Sequence, residues 1–216
     1  FEDNGERGFR PAEWFYKYSE SPIHYHTEWM MRSREQEYDY GPLVQLFKMV
    51  SENTYTEEQI NRILDPVEIT KHAAIRGYSG DWDSFTLDRG KNAFFYRRPT
   101  DGKFQFLQWD SDLAFREDNE FYNGREYFKA WIEKSYNIRL FYHFLDDMLQ
   151  KYTKDSTRLN AWLEAERDGS PQYDPDINFY NTFFKNRELR AHDLMGVNRT
   201  IPFKITSQNG QDFFTN

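Results

Sequence analysis

The chain contains no cysteine. That removes disulfide staples and thiolate zinc sites, and it decides nothing about compartment. Glycine (11) and proline (8) are sparse in the 216 residues, and no internal repeat or low-complexity segment is evident. Positive charge is short as well, with 28 Lys and Arg against 36 Asp and Glu and a formal net charge of −8. A general nucleic-acid binder leaves a basic footprint, so that class is set aside. No apolar run approaches the roughly 18 residues a membrane span needs. No signal peptide is visible, but the chain opens on Phe1 rather than Met. We read it as a piece of a larger parent polypeptide, with any targeting segment removed or lying outside it.

What the chain has in quantity is rings: 20 Phe, 15 Tyr and 6 Trp, 19% of all residues. Disordered chains are poor in aromatics, so this composition argues for a packed fold. A chain of this length buries a substantial core without staples. Residues 1–40 read as irregular, with "AEWFYKY" (12–18) as a short strand. "GPLVQLFKMVSE" after Tyr40 spaces its apolar residues as a helix does, with Pro42 near the start. "TEEQINRIL" opens with Thr56 and acids, and "DPVEITKHAAIRGY" with Asp65 as N-cap and Pro66 in the first turn. Two strand runs, "AFFYRR" and "KFQFLQW", flank the turn residues "PTDG" and predict a hairpin. Helical periodicity follows over 124–135, 137–152, 155–167 and 177–193. The last stretch, "RTIPFKITSQNGQDFFTN", alternates around an Asn209-Gly210 turn. It reads either as the first strands of a β-sandwich domain or as a C-terminal hairpin. The expected class is α+β: residues 1–196 form one mostly helical domain around a central hairpin, and 197–216 begin a β-domain or hairpin.

Acids sit directly against aromatics at both ends of that hairpin, in "GDWDSF" and "QWDSD". An ionised carboxylate beside buried rings loses hydration and must find a cation or donors. A helix end, an acidic loop, an Asn opening the first strand and an acid closing the second is also the layout of protein kinases. There, one Asp takes the substrate hydroxyl proton, while an Asn and a second Asp hold Mg²⁺ against the nucleotide phosphates. Magnesium favours hard oxygen ligands and keeps several waters, so one carboxylate and one amide oxygen suffice beside phosphate. On this layout Asp83 is the base, and Asn92 and Asp110 are the metal ligands. Asp81 and Asp112 are secondary candidates.

The stretches "GDWDSF", "KNAFFYRR" and "GKFQFLQWDSDLAF" resemble the CotH-type (spore-coat protein H) family of atypical protein kinases. Weaker similarity runs back through "LDPVEITKHAAIRGYSG" and "HTEWMMRSREQEYDYGPLVQLFK". The resemblance implies a kinase-like C-lobe with part of an N-lobe, and the same roles for Asp83, Asn92 and Asp110. It also implies ATP as substrate, Mg²⁺ or Mn²⁺, a Ser/Thr acceptor on a surface or coat protein, and an extracellular, cell-surface or spore-associated setting. Three departures stand out. "LDRG" lengthens the Asp83-to-Asn92 interval and puts the reach of Asn92 in question. Asp81 occupies a position where an amide is more usual. Gln108 replaces a Pro, a change expected to touch only backbone shape. No nucleotide-cradling segment is evident upstream, which places the phosphate-binding basic residue before Phe1 or leaves it missing.

Plainer readings stand beside these. The acids also suit turn caps, and Trp82 and Trp109 suit core packing. His24 and His26 read as a surface strand or loop, Arg97 and Arg98 as a solvated turn, and Asn198–Thr200 as a chance glycosylation triplet. The functional alternative to a kinase is a non-catalytic structural or interaction module of the same fold within a large extracellular protein.

Overall fold

The computed structural model describes residues 2–3, 21–23, 25, 29–33, 35–37, 39–87, 92–122, 126–153, 156–170, 172, 174–196, 205–206 and 212–213. The expected strand over 12–18, His24, His26 and the triplet at 198–200 lie outside these residues. Among them the fold is α+β and mostly helical, as expected, with a hairpin at its centre.

Helix α1 (Gly41–Glu52) carries Pro42 in its first turn and buries Leu43, Leu46, Phe47 and Val50 on one stripe. Helix α2 (Glu57–Asn61) opens with a capping box between Thr56 and Gln59. Helix α3 (Pro66–Tyr78) has Asp65 as its N-cap, accepting from the Glu68 N–H, and Pro66 at its start. Each cap satisfies orphan N–H groups of a first turn, worth about 0.5–2 kcal/mol.

Strands β3 (Ala93–Arg97) and β4 (Phe104–Gln108) pair antiparallel, with Ala93 opposite Gln108 and Arg97 opposite Phe104. The sheet is larger than the expected hairpin. Two-residue strands β1 (Glu2–Asp3) and β2 (Trp29–Met30) extend it in the order β2-β1-β3-β4. Side chains alternate across a strand, so Ala93, Phe95, Phe104 and Phe106 face the core. Phe95 packs on Trp29, Phe104 and Phe106, with ring centroids 4.8, 5.9 and 4.3 Å away. Each such burial contributes about 1.5–3 kcal/mol of transfer free energy. The bend of the hairpin is tied to α3, because Arg98 bridges Asp101 in the turn and the cap residue Asp65. It is an ion-paired corner, not a free solvated turn.

The remaining helices are α4 (Glu126–Ile132), α5 (Ser135–Met148), α6 (Ser156–Gly169) and α7 (Ile177–Met195). Helix α5 lies along α3 and widens into a π-helical turn, Leu149–Thr153. Short strands β5 (Ile205–Thr206) and β6 (Asp212–Phe213) pair with each other in a sheet of their own.

Candidate active site

Three chain segments meet at the open end of the β3–β4 hairpin. The first is the loop after α3. Gly80 turns the chain there at φ +61°, and a Cβ would lie 2.4 Å from the Arg116 carbonyl oxygen. Such a backbone favours glycine. The loop is then pinned from below: Phe85 stacks on Phe106 at 4.3 Å, while the buried hydroxyls of Ser84 and Thr86 hydrogen-bond at 2.7 Å. Asp83 lies between those anchors and is 9% exposed.

The second segment is Asn92, immediately before β3. Its side-chain N–H donates to the Asp83 carbonyl at 3.0 Å and to Asp83 Oδ2 at 3.4 Å. The longer loop therefore does not keep Asn92 away; the amide closes on Asp83 and its own carbonyl oxygen remains as an acceptor. The third segment is Asp110, which follows β4 and is exposed. Because Ala93 pairs with Gln108, Asn92 and Asp110 emerge from the same end of the hairpin. Both are left-handed, at φ 62° and 49°. Among non-glycine residues Asn and Asp occupy that region most readily, so local backbone demand by itself favours these two residue types.

Arg76 joins these segments. It comes from the last turn of α3 and is 1% exposed. Its Nη1 donates to the Trp109 carbonyl at 3.2 Å and to Ser111 Oγ at 2.6 Å, and its Nη2 to the Asp110 carbonyl at 2.9 Å. Its Nε sits 2.8 Å from Asp81 Oδ2, both side chains being inaccessible to solvent at 1% and 0%. Burial pushes the Asp81 carboxyl up and the Arg76 guanidinium down, each opposed by the charge of the other. Asp110 and Asp83 also act on Arg76, so three acids surround one guanidinium. Asp81, a secondary site candidate, is thus committed to Arg76 as its counter-ion. Asp112 is exposed within the turn after Asp110.

Some site residues escaped the sequence reading. Arg76 is one, although Ile69, Ala73 and Arg76 share the buried face of α3, and an arginine in that stripe is the signal that was there. Gln108 does more than shape backbone, since its amide donates to Ser111 Oγ at 2.8 Å. Arg187 on α7 is fully buried between Phe183 and Ala191. It donates to the carbonyls of Gly77 and Tyr78 at the end of α3 and to those of Glu117 and Asn119, and it lies 3.9 Å from the centroid of the Phe121 ring. Burial lowers its guanidinium to about 10. Trp109 is not a core residue: it is 53% exposed, edge-on to Phe94 at 5.5 Å. Trp82 is half-buried under the Arg116 guanidinium at 5.3 Å.

The family model described as CotH kinase protein matches residues 13–169, well over half of the 216 residues and all three of the segments that meet at the hairpin. The chain belongs to the CotH kinase family. No curated protein and no solved structure matches it. The CotH match spans the α3 end, the hairpin and the acids at its open end, so the segments that carry the resemblance in sequence also meet in space. Among the described residues no group of three or more His, Cys, Asp or Glu side chains forms a metal cage. At the open end of the hairpin the Asp110 and Asp112 carboxylates are exposed and Asn92 offers an amide oxygen, hard-oxygen donors of the kind Mg²⁺ takes. No helix among the described residues is long and apolar enough to cross a membrane.

Proposed function

We propose that this chain is an atypical protein kinase domain that transfers the γ-phosphoryl group of ATP to a Ser or Thr hydroxyl of a surface or coat protein. Residues 1–196 form the kinase-like unit, a C-lobe with part of an N-lobe, set outside the cell, on a cell surface or on a spore, and 197–216 form either the first strands of a β-domain or a C-terminal hairpin. The observation that carries this reading is the convergence of Asp83, Asn92 and Asp110 at one end of the hairpin. The amide of Asn92 is bonded to Asp83, and the backbone of Asp110 is held by Arg76.

Asp83 orients the acceptor hydroxyl and takes its proton as the oxygen bonds to the γ-phosphorus. The bond to the β–γ bridging oxygen breaks, and ADP leaves with that electron pair. Asn92 fixes the Asp83 carboxylate through its N–H, and its amide oxygen and the Asp110 carboxylate would hold Mg²⁺ or Mn²⁺. Bound there, the cation would neutralise phosphate charge. Arg76 and Ser111 hold the Asp110 turn in place, and Phe85 anchors the base loop to β4.

The test is incorporation from γ-³²P-ATP with Mg²⁺ or Mn²⁺, using the full-length natural protein. Asp83→Ala should lower labelling by about 10²–10⁴-fold, the usual range for a lost general base, with nucleotide binding mostly kept. If the wild-type protein binds no nucleotide and labels nothing with either cation, the domain is a non-catalytic module. Equal labelling by Asp83→Ala would remove Asp83 from the role of base.

A further inference from the structure

A cavity of about 520 Å³ opens between α3, α5, α6 and α7, away from the hairpin. Its walls are rings: Tyr78, Phe115, Phe144, Trp162 and Phe184. Cavities of this size with apolar walls and a few placed polar groups are the usual form of ligand sites. Around it stand Lys71, Lys151 and Arg158, with Asp147 as the acid, paired to Lys151 at 2.6 Å. The lining is thus net positive in a chain whose formal charge is −8.

Two further features mark the place. Helix α6 carries an apolar stripe of Leu159, Trp162 and Leu163, yet none of its residues is buried, and Trp162 is 59% exposed. Leu159 and Leu163 are half-buried, and an apolar stripe that its own fold covers only in part is suited to an interface. Lys151 comes from the π-helical turn that ends α5, an irregularity that recurs at functional sites. The cavity also shares a wall with the candidate site. Tyr78 and Ser79 lead directly into the Gly80–Asp83 loop, and the Phe115 N–H donates to the Ser79 carbonyl at 2.7 Å. Phe115 itself is held left-handed at φ 67°, a strained setting for a bulky residue.

We infer that this cavity docks an acidic peptide segment through one bulky apolar side chain, seated among the rings while flanking carboxylates meet Lys71 and Arg158. That the segment belongs to the phosphorylated protein rests on the kinase reading above; the binding itself does not. Arg158, whose guanidinium lies 5.1 Å from the Trp162 ring centroid, would both cover the anchor and face its charge.

Isothermal titration decides it without any chemistry. The probes are an octapeptide carrying Glu-Phe-Glu and lacking Ser, Thr and Tyr, its Lys-Phe-Lys and Glu-Ala-Glu counterparts, and N-acetylphenylalanine. The Glu-Phe-Glu peptide should bind at least about tenfold more tightly than the other three, a difference of about 1.4 kcal/mol. Arg158→Glu and Trp162→Ala should each weaken it at least about tenfold, and Trp162→Phe by much less. Both positions are exposed on α6, and circular dichroism checks that the fold is kept. Equal binding of Lys-Phe-Lys, equal binding of the free amino-acid derivative, no effect of either substitution, or no binding at millimolar peptide would each overturn the proposal. Peptide binding in a protein that labels nothing would leave the docking site standing and remove the kinase reading alone.

Discussion

The Arg76–Asp81 pair gives the sharpest quantitative expectation. Asp81→Ala deletes the carboxylate 2.8 Å from Arg76 Nε and leaves a guanidinium that solvent does not reach. Removing one partner of a buried pair costs about 3–5 kcal/mol. Arg76 keeps its bonds to Trp109, Asp110 and Ser111, so the expected loss sits in the lower half, about 3–4 kcal/mol. Total stability is about 5–15 kcal/mol, so this is a large share. At about 2–4 °C per kcal/mol for a chain of this size, the melting midpoint should fall by roughly 6–16 °C. Asp81→Asn keeps the shape but removes the charge of the ion pair, and should cost less than Asp81→Ala, about 1–3 kcal/mol. Urea denaturation measures both, as a shift in midpoint at unchanged slope. A cost below about 1 kcal/mol for Asp81→Ala would refute the strut. Loss of labelling in Asp81→Asn with full stability would refute it differently, by making Asp81 a reacting acid.

Asp110 separates backbone demand from chemistry. Asp110→Gly accepts φ 49° more easily than aspartate does, so stability should hold or rise slightly. Labelling should nevertheless be lost with it and with Asp110→Asn; unchanged Mg-ATP affinity by calorimetry in both would remove Asp110 from the metal site. His72 on α3 is held below its ordinary value of 6.5 by burial, with Lys71 and Arg76 pushing the same way and Glu68 opposing. The unfolded chain therefore takes up the proton first, so stability is full above about pH 6.5 and declines as pH falls below it. His72→Gln should flatten that part of the unfolding free energy against pH, and an unchanged slope between pH 7.5 and 5 would exclude His72 as its source.

Local signals were the legible ones. Asp65 and Thr56 cap their helices because a side-chain oxygen beside a first turn reaches only its own N–H groups, and that geometry is written in consecutive residues. The hairpin followed from two alternating runs around a turn. The four-stranded sheet did not, because β1 and β2 are two residues long and pair across wide separations, Glu2 with Met30 and with Phe94. No periodicity can emerge from two residues. Trp109 was misjudged although alternation carried the answer. Phe104 and Phe106 face inward, and Trp109, one residue past the end of β4, continues the outward alternate set. The positions of Asp83, Asn92 and Asp110 were legible as residue types at a spacing; their meeting depended on pairing across the hairpin and on Arg76.

The least legible contacts are those of the two buried arginines, and the reason is chemical. Most of the partners of Arg76 and Arg187 are main-chain carbonyls: Trp109, Asp110, Gly77, Tyr78, Glu117 and Asn119. Every residue owns a carbonyl, so such an acceptor leaves no trace in residue type. The donor is constrained far more tightly. A guanidinium presents five N–H groups in a fixed plane and stays charged even when burial lowers its affinity for the proton, whereas an ammonium in the same place has three donors and yields its charge more easily. Only arginine can span several carbonyls of separate loops at once. Arg187 does this between the end of α3 and the 117–119 loop, Arg76 between α3 and the Asp110 turn. The Asp83 loop and the Asp110 turn thus hang from the same two residues at the end of α3: the Arg76 and Gly77 carbonyls accept from the Asp81 and Gly80 N–H groups, and the Arg76 side chain holds the turn. An arginine on the buried stripe of a helix is consequently the one mark in the sequence that such a junction leaves, and both helices that frame this site carry it.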